Sequence, residues 1–320
     1  MARAVVTGAA GFLGGAITHA LRRRGADVVG LDVRRAPGVT VADTSRPGSW
    51  EALLAGADLV VHAAAIVADS GDPAAFWRVN VGGTAAVLDA CARAGVGRVV
   101  HLSSVVVHGA RFPDPVDESA PVRMTGNPYT DTKVAAEHHA LAAAARGLPV
   151  TVVRPGDAYG PRSVPWTLRP VSLIRRGRLV LVDAGRGVLS PTYVDDVVEG
   201  TLALAACPAA AGEVVHVTGG VGVPAREFFG HYLRMLDAPP PRSVPSALLR
   251  TLARPLERLP MPVSPRAVEY VTHPGTYSIA KARRLAGWRP RVTLEQGMAC
   301  TERWLRERGL LGVPEPTRRG

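Results

Sequence analysis

Apolar positions in the first half of the chain change period repeatedly. ARAVVTG, ADVVGLD, ADLVVHAA, GRVVHLSS and PVTVVRPG are short, valine-rich and apolar almost throughout. Between them, GFLGGAITHALRRRG, SWEALLAG, FWRVNVGGTAAVLDACARAG and YTDTKVAAEHHALAAAARG carry alanine and leucine at helical spacing. Runs without polar alternation predict strands covered on both faces, and their alternation with helices predicts a parallel sheet. The fold class is therefore α/β, a doubly wound parallel sheet. After about Pro155 the alternation breaks into Pro- and Arg-rich segments such as GPRSVPWTLRP, with few clear elements such as GEVVHVTGG. The expected organisation is a main domain of residues 1–155 plus about 190–218. A smaller, mostly C-terminal lobe takes about 156–189 and 219–320, with the chain returning to the sheet near Tyr193–Gly200 and Val214–Thr218.

The turn after the first strand reads Thr7-Gly8-Ala9-Ala10-Gly11-Phe12-Leu13-Gly14. Glycines at Gly8, Gly11 and Gly14 permit a tight turn and close backbone approach to a pyrophosphate, and a helix N-terminus supplies N–H donors. The second strand ends in Asp32, where a carboxylate can take adenosine ribose hydroxyls. That charge repels a 2′-phosphate and favours NAD over NADP, although Arg34 and Arg35 are placed to hold such a phosphate. Asp43, after a third short strand, is placed to meet the adenine.

Among 38 basic residues, lysine occurs only at Lys133 and Lys281. The Arg, Ala, Gly and Pro content has the look of a GC-rich genome, so a retained lysine calls for a reason. Lys133 follows Tyr129 by one helical turn, on the same face. A phenol is a weak acid–base group at neutral pH, and a neighbouring ammonium stabilises its phenolate. A compact ammonium also holds ribose hydroxyls in a way that a planar guanidinium does not. Ser104, at the end of a strand, can point its hydroxyl at the same substrate oxygen.

Composition narrows the partners. The formal charge of +11 is spread along the chain, only 5% of residues are aromatic, and no basic stretch is interleaved with aromatics, which argues against nucleic acid. No apolar run approaches the ~20 residues that span a bilayer, and the N-terminus enters a strand directly, so neither a transmembrane segment nor a signal peptide is expected. Cys91, Cys207 and Cys300 are odd in number and scattered, which suits a cytoplasmic protein without a disulfide or metal framework. His62, His138 and His139 lack metal-ligand spacing. Asp195 and Asp196 suit a capping or loop-tying role, and Trp288 the core.

TGAAGFLG, HAAA (62–65), VNVGGT (79–84), LSSVVVHG (102–109), YTDTK, RPGDAYGP (154–161) and YVDDV (193–197) together resemble the extended short-chain dehydrogenases/reductases. That superfamily includes nucleotide-sugar epimerases and dehydratases, and the likeness covers nearly the whole chain. It implies a Rossmann domain with NAD bound, with Tyr129 the general acid/base, Lys133 on the nicotinamide ribose and Ser104 on the reacting oxygen. Gly8, Gly11, Phe12, Leu13, Gly14, Asp32, Asp43, Ala63, Ala64, Ala65 and Asn80 would bind the cofactor, with Pro155 and Gly156 bordering the nicotinamide. His108 stands where the family usually has tyrosine.

The branch is read from the second lobe. Nucleotide-sugar relatives usually have Asn where this chain has Asp157, and a polar stretch where it has Val188–Pro191; a carboxylate facing a diphosphate is electrostatically unfavourable. Arg162, Arg169 or Arg186 could offset it. In SVPSALLRTLARPLERL, Leu248, Leu249, Leu252, Leu256 and Leu259 share one helical stripe and Arg250, Arg254 and Arg258 another, interrupted at Pro255. Such a helix suits a greasy lid, or contact with a membrane surface. The expected function is an NAD(P)-dependent alcohol dehydrogenase or ketoreductase for a largely apolar small molecule, resembling the 3β-hydroxysteroid dehydrogenase-like and dihydroflavonol-reductase-like branch. A nucleotide-sugar epimerase or dehydratase is the alternative. Val105, Val106, Asp157 and Arg162 are the expected substrate contacts. The alanine-rich helices predict a homodimer, as relatives pair them.

Overall fold

A computed structural model describes residues 2–68, 70–249 and 265–312. The first strands are β1 (Arg3–Thr7), β2 (Asp27–Asp32), β3 (Val39–Val41), β4 (Leu59–His62), β5 (Val99–Leu102) and β6 (Val150–Pro155). With β11 (Val214–Val217) they form a parallel sheet of seven strands among the described residues, ordered β11-β6-β5-β4-β1-β2-β3. Successive side chains on a strand face opposite ways. Ala4 and Val6 of β1 enter one hydrophobic cluster and Val5 the other; Val61 and Val60 of β4 divide in the same way. Both faces are therefore buried, as apolar runs without alternation require.

Helices α1 (Phe12–Arg23), α2 (Pro73–Phe76), α3 (Gly83–Ala94) and α4 (Pro128–Ala145) connect these strands. The long helix expected from Phe76 is interrupted by a π turn over Trp77–Gly82, which holds Asn80. A helix, α5 (Arg169–Arg175), precedes a small parallel pair in which β10 (Pro191–Tyr193) lies against β7 (Asp157–Tyr159). The segment expected to return to the sheet near Tyr193–Gly200 does so mainly as a helix, α6 (Val194–Ala205), packed on α1 and on β11. The return at Val214–Val217 is β11, on the sheet edge. Beyond it come α7 (Ala225–Met235), α8 (Pro265–Thr272), α9 (Ala280–Ala286) and α10 (Leu294–Glu307). The Asp196 carboxylate accepts the N–H groups of Arg291 (2.9 Å) and Val292 (3.0 Å), tying the approach to α10 onto α6. Trp288 is buried. Most of the Leu/Arg stripe, from Arg250 to Leu259, lies outside the described residues. Among those described, no helix is long and apolar enough to cross a membrane.

Strand order reverses between β1 and β4: the chain runs outward from β1 to β3, then returns to β1's other side. Ligands of such sheets bind outside the carboxyl ends at this switch point. The loops after β1 and β4 meet there.

Candidate active site

The glycine turn is held by close backbone contacts. Gly8 has φ +70°, and a Cβ on it would stand 2.8 Å from the Ala64 nitrogen; one on Gly14 would stand 2.2 Å from the Gly8 carbonyl oxygen. Gly11 caps α1 without a side chain in the way, and the first turn of α1 has no acidic residue. Its free N–H groups and positive dipole end suit a phosphate. Phe12 and Leu13 pack partly into the core. Ala63 N–H donates to the Thr7 carbonyl (3.3 Å) and Ala64 N–H to the Thr7 hydroxyl (3.2 Å), joining the two loops.

Asp32 is buried at the end of β2. Its Oδ2 accepts Ala10 N–H at 3.0 Å, and its Oδ1 accepts Arg34 N–H at 2.9 Å and Arg34 Nε–H at 3.3 Å. An ionised carboxylate has about four acceptor positions, so ribose hydroxyls can still be taken. Asp43 is exposed and holds the Ser45 N–H (3.0 Å) and hydroxyl (2.6 Å). The Ser45 hydrogen bond keeps Asp43 below the usual carboxylate range. Asn80, 2% exposed, is engaged on both sides of its amide. Its Oδ1 accepts Ile66 N–H (2.7 Å), and its Nδ2 donates to the Ile66 carbonyl (3.1 Å) and the Thr132 hydroxyl (3.0 Å). Asn80 thus fastens the loop carrying Ala63–Ala65 to α4.

Helix α4 starts at Pro128 with Asn127 as cap, its Oδ1 accepting Tyr129 N–H (2.9 Å) and Thr130 N–H (3.1 Å). This cap fixes Tyr129 in the first turn, and Lys133 follows one turn later. Lys133 is 5% exposed and donates from Nζ to the Leu102 carbonyl at the end of β5, 2.8 Å away. Ser104, two residues beyond, accepts Val106 N–H at 3.3 Å and also hydrogen-bonds the Tyr129 phenol. The three expected catalytic residues are brought together at the carboxyl end of β5. Burial pushes Tyr129 up to about 12, opposed by the Ser104 hydrogen bond. Burial pulls Lys133 down to about 8, opposed by the charge of Glu137. Burial, rather than the ammonium, is therefore the larger influence on the phenol. Val105 is buried in a small cluster with Val116 and Tyr277.

Pro155 ends β6. A Cβ on Gly156 would come 2.6 Å from the Ser190 carbonyl oxygen, so only glycine lets the strand pass β10. Asp157, 3% exposed, accepts Ser190 N–H on Oδ2 (2.7 Å) and the Tyr270 hydroxyl on Oδ1 (2.6 Å). Burial raises its acid range to about 6. Arg162 departs from expectation. Its backbone is left-handed (φ 73°), and its Nη2 donates to the Ala10 carbonyl at 3.1 Å. It therefore flanks the glycine turn, beside α1, rather than offsetting Asp157.

Sequence reasoning missed the wall around Asp157. Tyr277 stands 5.1 Å from Phe112 and 6.2 Å from His108, and Tyr270 5.4 Å from His273, by ring centroids. Residues 276–278 reach this place by pairing with 114–116: Val116 N–H donates to the Thr276 carbonyl (2.9 Å) and Ser278 N–H to the Val116 carbonyl (2.7 Å). The only signal was the aromatic content of VEYVTHPGTYSIAK. His62 is a buried core histidine, bonded to the Thr7 (2.7 Å) and Thr84 (3.0 Å) hydroxyls and kept neutral by burial, which pulls it down to about 3. His138 and His139 are exposed on α4.

Residues 4–218 match the NAD dependent epimerase/dehydratase family. The chain belongs to that family. It is thus an enzyme of a family named for its use of NAD, and the three-glycine cradle fits that dinucleotide. It is 31% identical to the 2-alkyl-3-oxoalkanoate reductase of Stenotrophomonas maltophilia over 92% of this chain and 96% of the relative. It is 33% identical to the 4-hydroxy-2-methyl-3-oxo-4-farnesyl-3,4-dihydroquinoline-1-oxide ketoreductase of Stigmatella aurantiaca, over 92% and 94%. Among solved structures, a dTDP-glucose 4,6-dehydratase from Streptomyces venezuelae with NAD bound superposes with a TM-score of 0.80 at 28% identity, covering 96% and 98%.

Proposed function

We propose that this family member is an NAD-dependent ketoreductase or alcohol dehydrogenase acting on a secondary alcohol or ketone of a largely apolar substrate. Asp157 carries the reading. It is buried and doubly hydrogen-bonded inside an aromatic wall, where a substrate diphosphate would meet a fixed negative charge. Two like charges about 4 Å apart cost about 4 kcal/mol in a setting of intermediate dielectric. Ketones joined to alkyl or farnesyl groups appear in the names of the two reductase relatives, in accord with that wall.

When bound, the reduced cofactor would supply the hydride for reduction and NAD would accept it in oxidation. The N–H groups at the start of α1 would hold its pyrophosphate and Asp32 its ribose, while Pro155 and Gly156 would border the nicotinamide. In the reductive direction Tyr129 gives its phenolic proton to the carbonyl oxygen, and Ser104 and Lys133 stabilise the resulting phenolate. Oxidation reverses this transfer and needs the phenolate first. Because burial raises the phenol, oxidation should speed up as pH rises through the alkaline range, while reduction proceeds from the protonated phenol at neutral pH.

The dehydratase likeness favours a second reading, a nucleotide-sugar dehydratase or epimerase that keeps its cofactor and returns the hydride. Absorbance of the reduced nicotinamide separates the two. Stoichiometric conversion of added cofactor with a ketone and alcohol panel is expected. Catalysis without net cofactor conversion, together with thermal stabilisation by dTDP or UDP, would instead establish the second reading. Two further proposals accompany the first. The exposed Ala142 and Ala145 on α4 support a homodimer through the α3 and α4 faces, which a one-chain mass by light scattering would refute. The free cysteines Cys91, Cys207 and Cys300 support a cytoplasmic location.

A further inference from the structure

Behind the Tyr129–Lys133 pair, buried ionisable groups continue in a row through the sheet. Glu137 lies one helical turn beyond Lys133 and is 1% exposed. Arg154 of β6 grips both its oxygens, Nε donating to Oε1 at 2.9 Å and Nη2 to Oε2 at 2.7 Å. The Ser103 hydroxyl donates to the same Oε1. The remaining arm of the guanidinium, Nη1, donates to Nε2 of His108 at 3.1 Å. Since a guanidinium can only donate, His108 must present a lone pair there and carry its proton on Nδ1. That same Nε2 stands 2.9 Å from Nε2 of His216, whose Nδ1 lies 3.2 Å from the Ser278 carbonyl oxygen. At the far end Glu118 accepts the backbone N–H of His216 at 2.8 Å.

Such a row needs a reason. A buried carboxylate–guanidinium pair often adds no more stability than well-packed apolar residues would. The reason lies in Lys133. Its ammonium is buried, and the acceptor it is bonded to among the described residues is a neutral carbonyl. The ionisable groups there that act on it or feel it are few. Tyr129 and Glu137 come from α4, His62 from β4 and His101 from β5. Burial keeps both histidines neutral, and the ammonium's own charge reinforces this. Tyr129 is neutral as well at physiological pH. Glu137 is the anion of this set, and Arg154 grips both its oxygens.

We propose that Glu137 is a positioning residue that holds Lys133 as an ammonium, its carboxylate fixed for that purpose by Arg154, Ser103 and His108. The row then alternates in sign, Lys133 positive, Glu137 negative and Arg154 positive, with His108 on the outer arm of the guanidinium. His108, where relatives usually carry tyrosine, belongs to this support through its bond to Arg154. The inference rests on the proposed function only for the use of the ammonium. The charge state of Lys133 can be measured without any substrate.

The chain's two lysines make that measurement direct. Protein labelled with carbon-13 at the lysine ε position gives two resonances, and Lys281, paired with Glu213 at 2.6 Å, is the internal reference. In the full-length protein the Lys133 signal should titrate near 8. Glu137→Gln should move that midpoint at least about tenfold in proton concentration toward acid, while Lys281 stays in place. Should Glu137→Gln leave Arg154 unpaired and unfold the protein, the double variant Glu137→Leu/Arg154→Met replaces the pair with apolar side chains of similar bulk, and the same fall is expected. A Lys133 midpoint unchanged in either folded variant overturns the proposal. Because no turnover is read, that result would leave the ketoreductase reading standing, and failure of the substrate panel would leave this one standing.

Discussion

The two halves of the site are built by different means. The proposed cofactor side is made largely of backbone: Gly8 to Gly14, the cap at Gly11, and the loop after β4 that the sheet brings beside them. The proposed substrate side is made of side chains, the Asp157 carboxylate bonded to the Ser190 N–H and met by the Tyr270 hydroxyl from 113 residues away. A backbone cradle admits one ligand shape and resists change, since a single Cβ fills it. A side-chain wall can be rewritten residue by residue without disturbing the sheet. The family's shared cofactor and its varied named substrates are what such a division produces.

Perturbing each half should therefore give different signatures. The largest effect is expected where the halves meet. Tyr129→Phe removes the proton donor and keeps the ring, so kcat should fall by about 10³-fold or more, while NAD binding measured by calorimetry stays near wild type. Activity within about tenfold of wild type would end the catalytic assignment. Gly14→Ala acts on the cofactor side alone. Its Cβ would meet the Gly8 carbonyl oxygen at 2.2 Å, a backbone contact that cannot move aside cheaply. NAD affinity should weaken by about 100-fold, or roughly 2.7 kcal/mol, with the far C-terminal lobe unaffected. Unchanged NAD affinity would show that the turn is not the cradle.

Legibility follows the same division. The sheet, the glycine turn, Asp32 and the Tyr129–Lys133 step could be read because each is a short-range pattern set by backbone sterics or by one helical turn. The position of Arg162 could not, because it depends on a left-handed residue that sends the side chain back to Ala10. Tyr270 and Tyr277 reach the wall only through the pairing of 276–278 with 114–116, which no local periodicity encodes. The Glu137–Arg154 pair falls between these cases. Glu137 sits at helical spacing from Lys133, but its partner lies on a strand 17 residues away. The return to the sheet near Tyr193–Gly200 could be read, but not that it is made by a helix: valine-rich stretches also serve helices largely buried, as α6 is.

The smallest effect is the most specific to the substrate half. Asp157→Asn preserves shape; the amide oxygen can still accept Ser190 N–H, and the Tyr270 hydroxyl can turn to accept from the amide nitrogen. Burial raises Asp157 in the folded protein from the ordinary 3.8 to about 6. A raised acid binds its proton more tightly when folded, so its contribution to stability is complete below about pH 4 and is lost as pH rises through 6. The variant carries no such proton. It should match wild type at pH 4 and exceed it by about 2 kcal/mol at pH 8, because a tenfold change in proton affinity is worth about 1.4 kcal/mol. Denaturant unfolding at the two pH values checks this, and a wild type equally stable relative to the variant at both would show that Asp157 is not held in a desolvated place. The same substitution removes the fixed charge that disfavours a diphosphate. Thermal stabilisation by dTDP should therefore appear in Asp157→Asn and be absent from wild type. Stabilisation of wild type by dTDP would mean that the aromatic wall opens onto a nucleotide site, and the substrate half would then have to be read as its dehydratase likeness suggests.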